Sequence, residues 1–210
     1  MTAAAFLLLA VTLAWAVGDW LAVHHDNTRL EYLCKPATMV ALAGVAVSLD
    51  PRDPVARAWF VVALVLSLAG DVFLMLPGDL FLPGLASFLL AHVAFAVGLV
   101  VDGVHPGSLV VGVAVVAAAY ALVGLRLLAG VRAREPALAG PVAGYMAVIS
   151  LMVVCAIGTR HPLAIAGAVL FYASDALIGW NRFVRPVAGG DTAIMVTYHL
   201  GQILLVLSLI

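Results

Sequence analysis

Two dipeptides with a carboxylate stand inside apolar stretches of this chain, Gly70-Asp71 within Leu64 to Leu76 and Ser174-Asp175 within Ala164 to Trp180. A charged group at the centre of a membrane helix costs on the order of 2.5 to 3.5 kcal/mol, so two at matching depth call for a reason. The expected reason is a shared polar site in which Asp71 and Asp175 carry proton chemistry. A third intramembrane carboxylate, Asp19, lies beside Trp20 and near His24, at the level of an interface, and its role is left open.

Other polar groups collect around the same depth. Lys35 and Thr38, then Ser87 and His92, then Tyr145, then Tyr198, His199 and Gln202 occupy the first halves of alternate apolar segments. Residues three or four apart share a helix face, which pairs Ser67 with Asp71, Tyr172 with Asp175, Phe88 with His92 and Tyr198 with Gln202. His92 and His199 lack a second ligand at metal spacing on their own helices, and Cys34 and Cys155 form no ligand pattern, so no metal site is expected. Lys35 has two readings, a helix-end cation reaching toward headgroups or a member of the site. Trp15, Trp20, Trp59 and Trp180 read as interfacial anchors.

The elements that must hold these residues follow from composition. Of the 210 residues, 65% are hydrophobic and 10% charged, and the mean hydropathy is +1.19, far more apolar than the roughly 45 to 50% of a soluble domain. The expected fold is all-α, a polytopic membrane bundle of about eight helices in one integral membrane domain covering residues 1–210. Apolar segments long enough for a ~30 Å core place the spans at Thr2 to Val23, Lys35 to Leu49, Val55 to Leu76, Phe81 to Val101, Gly107 to Ala129, Gly140 to Gly158, His161 to Trp180 and Asp191 to Leu209. All ten prolines fall in the breaks or first turns of this scheme. The run Ala3 to Ala16 resembles a signal peptide in hydrophobicity, but no Lys or Arg precedes it, and a retained first helix is expected. The net charge of -1, with no basic run, argues against nucleic acid.

Basic residues set the orientation. Loops after the first, third, fifth and seventh spans hold Arg29, Lys35, Arg126, Arg132, Arg134, Arg182 and Arg185, whereas the other loops hold Arg52, Arg57 and Arg160. The first set is therefore expected in the cytoplasm, and the membrane is expected to be the inner (cytoplasmic) one. Asp19, Asp71 and Asp175 each lie four to six residues before the end of such a span, close to that cytoplasmic face. The opposite halves are almost purely Ala, Val, Leu, Ile and Gly, which suits a pocket opening to one side.

In this order, Lys35-Pro36, Gly70-Asp71 with Leu74, Phe81 to His92 with Gly84 and Phe88, Phe171-Tyr172-Ala173-Ser174-Asp175, and Tyr198 with Gln202 resemble the YhhN family of eight-helix membrane proteins, whose animal members are lysoplasmalogenases. The resemblance runs from Lys35 to Gln202. It implies hydrolysis of the vinyl ether bond of a lysophospholipid, giving a fatty aldehyde and a glycerophospho-headgroup, with Asp71 and Asp175 at the two essential acidic positions. Protonation of a vinyl ether at its β-carbon leaves an oxocarbenium ion for water to capture, and a pair of carboxylates sharing one proton suits both steps. On this reading Lys35, His92, Tyr198 and Gln202 hold the phosphate and glycerol hydroxyl. The partners are the lysophospholipid and membrane lipids, with no cofactor and no obligate protein partner. A proton-coupled transporter and a lipid- or haem-binding scaffold are the alternatives.

Overall fold

The computed structural model describes residues 1–210 as helices joined by short turns, with no strand. The helices are α1 (Ala3–His24), α2 (Thr28–Ser48), α3 (Pro54–Met75), α4 (Phe81–Asp102), α5 (Pro106–Ala119), α6 (Leu125–Arg134), α7 (Ala139–Thr159), α8 (Pro162–Phe183) and α9 (Gly190–Leu207). A π-helical turn, Tyr120–Gly124, fuses α5 to α6, so the chain has 8 segments long and apolar enough to cross a membrane. It is an integral, multi-pass membrane protein.

Local sequence explains most boundaries. Thr2 caps α1 by accepting from the Ala5 amide, and Asp53 caps α3 by accepting from the amides of Val55 and Ala56 with Pro54 at the first position. The expected start of the second span at Lys35 is corrected by the structure, because α2 begins at Thr28, capped by Asn27, and Pro36 lies inside it. Proline removes one helical bond there, but Lys35 donates to Glu31 one turn earlier, at 2.6 Å, and the pair carries the helix through the charged stretch. Lys35 consequently sits about 10 Å inside the helix start. The fifth span is also longer than expected. Arg126, Arg132 and Arg134 belong to α6 rather than to a loop. The seventh span continues to Phe183, so Asp175 lies eight residues before its end, deeper than Asp71, which is four from the end of α3.

Seven helices form a closed ring in the order α1, α2, α3, α4, α7, α8, α9 and back to α1, while α5 and α6 lie outside it against α7 and α8. Phe60, Phe95 and Phe171 fill the centre edge to face, with centroids 5.1 Å apart for the first pair and 6.3 Å for the second. At the α8–α9 contact, backbone meets backbone: a methyl group on Gly201 would stand 2.9 Å from the Gly167 carbonyl oxygen. Small residues permit such an approach, and it draws Asp175 and Tyr198 on these helices toward a common interior.

Near the C-terminal end of α8, Arg182 joins three segments. It bonds Asp79 at 2.9 Å and Glu135 at 3.1 Å, and its guanidinium lies 4.1 Å from the Phe81 ring centre. The bond from Arg182 holds the exposed Asp79 carboxyl below the usual carboxylate range.

Candidate active site

Asp71 stands in the last turn of α3 and is only 4% exposed. Its Oδ2 accepts from the Tyr198 hydroxyl of α9 at 2.6 Å. The neighbouring Gly70 is required by the Phe88 ring of α4, which a methyl group there would meet at 2.6 Å. Lys35 from α2 is within electrostatic reach of both Asp71 and Asp19 while bonded to Glu31. Gln202 lies one turn beyond Tyr198, fully buried, with neither amide atom hydrogen-bonded.

Asp175 forms a second cluster. Its Oδ2 accepts from the Tyr145 hydroxyl of α7 and lies 3.0 Å from His92 Nε2 of α4, which is also 2.9 Å from the Tyr145 oxygen. With Asp175 ionised, the consistent assignment has Tyr145 and His92 Nε2–H both donating, which leaves His92 Nδ1 as a buried acceptor without a partner. Asp175 Oδ1 makes no hydrogen bond to protein. Ser174, adjacent to it, donates to the Ile194 carbonyl at 3.1 Å and fixes α8 against α9.

The two carboxylates therefore lie in one interior, yet no hydrogen bond and no common partner joins them. An aromatic wall connects the clusters instead. Phe171 contacts His92 at 4.6 Å and Tyr198 at 5.3 Å between ring centroids, and Phe88 lies 5.8 Å from Tyr198. Spacing does not give the rotation of the helices about their axes, and rotation turns each aspartate to its own tyrosine.

Cavities distinguish the two. Asp175 and Tyr145 line a narrow cleft of about 50 Å³ with Leu74, Phe81, Phe88 and Phe183. They also line a second, of about 40 Å³, with Val123, Gly124, Met146 and Tyr172. The second uses the π-helical turn and shares Val123, Tyr172 and Ala176 with an outer apolar groove of about 350 Å³. Wide π-turns often mark places where a helix gives way to a site. Asp71 borders none of these spaces. The side chains offer no set of three His, Cys, Asp or Glu residues disposed to hold a metal ion.

Of the six site residues expected from sequence, Asp71, Tyr198, Lys35 and Gln202 gather on one side of the aromatic wall and Asp175 with His92 on the other. Tyr145 is the residue the expected set lacked. Its signal was its place in the first half of its span, like Tyr198 in its own, in a span with no carboxylate of its own. Trp20, expected as an anchor, instead turns inward and donates to His199 Nδ1 at 3.1 Å and to the Met195 carbonyl at 3.2 Å. Asp19 is fully buried with both oxygens unbonded.

The YhhN family model matches residues 30–209. Lysoplasmalogenase TMEM86B from Homo sapiens is 32% identical over 146 residues, 70% of this chain and 61% of that protein. A lysoplasmalogenase from Mycobacterium tuberculosis is 35% identical over 166 residues, 75% of this chain and 62% of that one. The match thus spans about three fifths of the length of these relatives. No solved structure matches the chain.

Proposed function

The chain belongs to the YhhN family, and from that and the site geometry we propose that it is a membrane hydrolase that cleaves the vinyl ether bond of lysoplasmalogens. The observation that carries this reading is Asp175, anchored at Oδ2 by Tyr145 and His92, with Oδ1 unbonded where two apolar clefts meet. The likeness to proteins named lysoplasmalogenase supports the substrate class.

The alkenyl chain lies in an apolar cleft with its vinyl ether at Asp175. In its acid form, Asp175 transfers a proton from Oδ1 to the β-carbon, and the ether oxygen shares the resulting cation as an oxocarbenium ion. The same carboxylate, now basic, takes a proton from the water that attacks the α-carbon. The hemiacetal collapses to a fatty aldehyde and the free glycerol hydroxyl, so one water is consumed and Asp175 regains its proton. Tyr145 and His92 fix the carboxylate's orientation. Asp71, held by Tyr198, faces the same interior from the other side of the aromatic wall and, when ionised, favours the cation there. Lys35 and the unbonded amide of Gln202, on the Asp71 side of the wall, are the polar groups offered to the phosphate and glycerol hydroxyl once that side opens to the substrate. The distribution of basic residues supports a site on the cytoplasmic side of the inner membrane.

Purified protein offered a panel of lysolipids, vinyl ether and ester side by side, tests the reading by mass spectrometry of products. Fatty aldehyde is expected from the vinyl ether substrates alone, and its release is expected to be lost in Asp175→Asn and Asp71→Asn variants that remain folded. Ester cleavage with vinyl ether untouched, or full aldehyde release by either variant, overturns it.

A further inference from the structure

At the opposite end of the bundle from Asp71 and Asp175, the turns α4–α5 and α7–α8 border an open polar pocket of about 340 Å³ lined by Arg52, Asp102, His105, Thr159, Arg160 and His161. Its volume falls in the range of small-ligand sites, roughly 300 to 1,000 Å³. Pro162, at its edge, is thirteen residues from Asp175 along α8, about 20 Å away. We propose that this pocket is a binding site for a phosphate-type anion, either free or carried by a lipid headgroup, separate from the aspartate site.

Charge is the first support. Arg52 is committed, bonding Asp102 at 2.8 Å and the main-chain oxygen of Ile210 at 3.0 Å, with Ser208 O as a further acceptor. Asp102 offsets its charge. Arg160 has no such offset: its Nε donates to Ser108 Oγ at 2.7 Å, and neither terminal nitrogen has a protein partner. A free guanidinium fork is the geometry that grips phosphate oxygens in pairs.

The backbone under Arg160 gives a second, independent support. It adopts φ 61°, ψ 7°, the left-handed conformation that closes a helix and favours glycine. A long cationic side chain that borders the pocket occupies the position instead, its Nε held by Ser108. The two helices that start beside it, α5 and α8, have no side-chain capping bond and carry proline, which has no N–H, at their first position, so what they bring to the space is the positive end of each helix dipole. His161 Nδ1 is shielded from solvent and unpartnered. Burial and the Arg52 charge, opposed by Asp102, hold its imidazole below the usual histidine range. An anion would accept from the free Arg160 fork and, with His161 in its Nδ1–H tautomer, from that ring as well.

The test uses the full chain in detergent, titrated with inorganic phosphate against chloride at constant ionic strength and followed by thermal unfolding. A parallel arm uses native mass spectrometry after reconstitution in phosphatidylcholine discs with or without phosphatidic acid. Saturable stabilisation by phosphate, or retention of one phosphatidic acid per chain, supports the site and distinguishes its two sources. Arg160→Gly suits the backbone conformation, so its unfolding temperature without phosphate should equal or exceed that of wild type, while affinity falls at least tenfold. Arg160→Lys should retain part of the binding. Asp175→Asn should bind as wild type, which separates this site from the proposed hydrolase. No saturable effect in either arm, undiminished binding by Arg160→Gly, or loss of binding in Asp175→Asn would overturn the proposal.

Discussion

Tyr145→Phe removes one oxygen from the interior and leaves the ring in place, so its effect reports on the hydroxyl alone. In the structure that hydroxyl donates to Asp175 Oδ2 beside the 3.0 Å contact from His92 Nε2. Hydrogen bonds to a charged group contribute about 1.5 to 3 kcal/mol. If the hydroxyl orients Asp175 for proton transfer, that range converts to a fall in kcat of roughly ten- to 150-fold. His92 still anchors the carboxylate, which keeps the loss below that of Asp175→Asn. KM should change little, because Tyr145 is not assigned to the headgroup. The assay is aldehyde release from a vinyl ether lysolipid at saturating and limiting concentrations, with unfolding temperature measured in the same detergent. A kcat within twofold of wild type in a stably folded Tyr145→Phe protein would refute the view that this cluster positions the acid. A rise in KM at constant kcat would refute it too, by making Tyr145 a binding group.

Two further outcomes follow from the scaffold. Gly201→Ala places a methyl group 2.9 Å from both the Gly167 carbonyl oxygen and the Phe171 amide nitrogen, where only backbone can yield. It should destabilise by about 1 to 3 kcal/mol, read as a lower unfolding temperature, whereas Gly144→Ala meets nothing within 4 Å and serves as the neutral control. Because Arg182 favours the ionised form of Asp79, the folded pKa lies below the unfolded value of 3.8. The stabilisation is therefore complete above that pH and is lost as pH falls through the lower folded value. The advantage of wild type over Asp79→Asn in thermal unfolding should hold at pH 6 and vanish in strong acid; an advantage independent of pH would contradict the assignment.

The expense of polar groups in hydrocarbon is what marks the candidate site in the sequence. Asp71, Asp175, His92, Tyr198 and Gln202 stood out because each interrupts an apolar span, and the structure does bring them into one interior. Tyr145 passed with less notice, since a tyrosine in such a span also serves as ordinary helix glue. The separation of Asp71 from Asp175 into two hydrogen-bonded clusters depends on the rotation of α3 and α8 about their axes, which period alone does not give when nearly every face is apolar. The start of α2 was hidden for a local reason. Arg29, Glu31 and Pro36 read as a loop until the Glu31–Lys35 pair is seen to neutralise the charge within a helix. The depth of Asp175 was underestimated because Asn181 and Arg182 looked like loop residues, although Arg182 meets its counter-charges, Asp79 and Glu135, from inside the last turn of α8.

The position of the fifth span outside the seven-helix ring has a mechanical consequence. Its π-turn supplies Val123 and Gly124 to one of the clefts at Asp175, but it rests on α7 and α8 from outside and contributes none of the contacts that close the seven-helix ring. Swinging it outward widens the passage from the lipid phase without parting any pair of helices in the ring. A single-chain lipid could then slide in sideways from its own leaflet, leaving the carboxylate clusters and their tyrosines undisturbed.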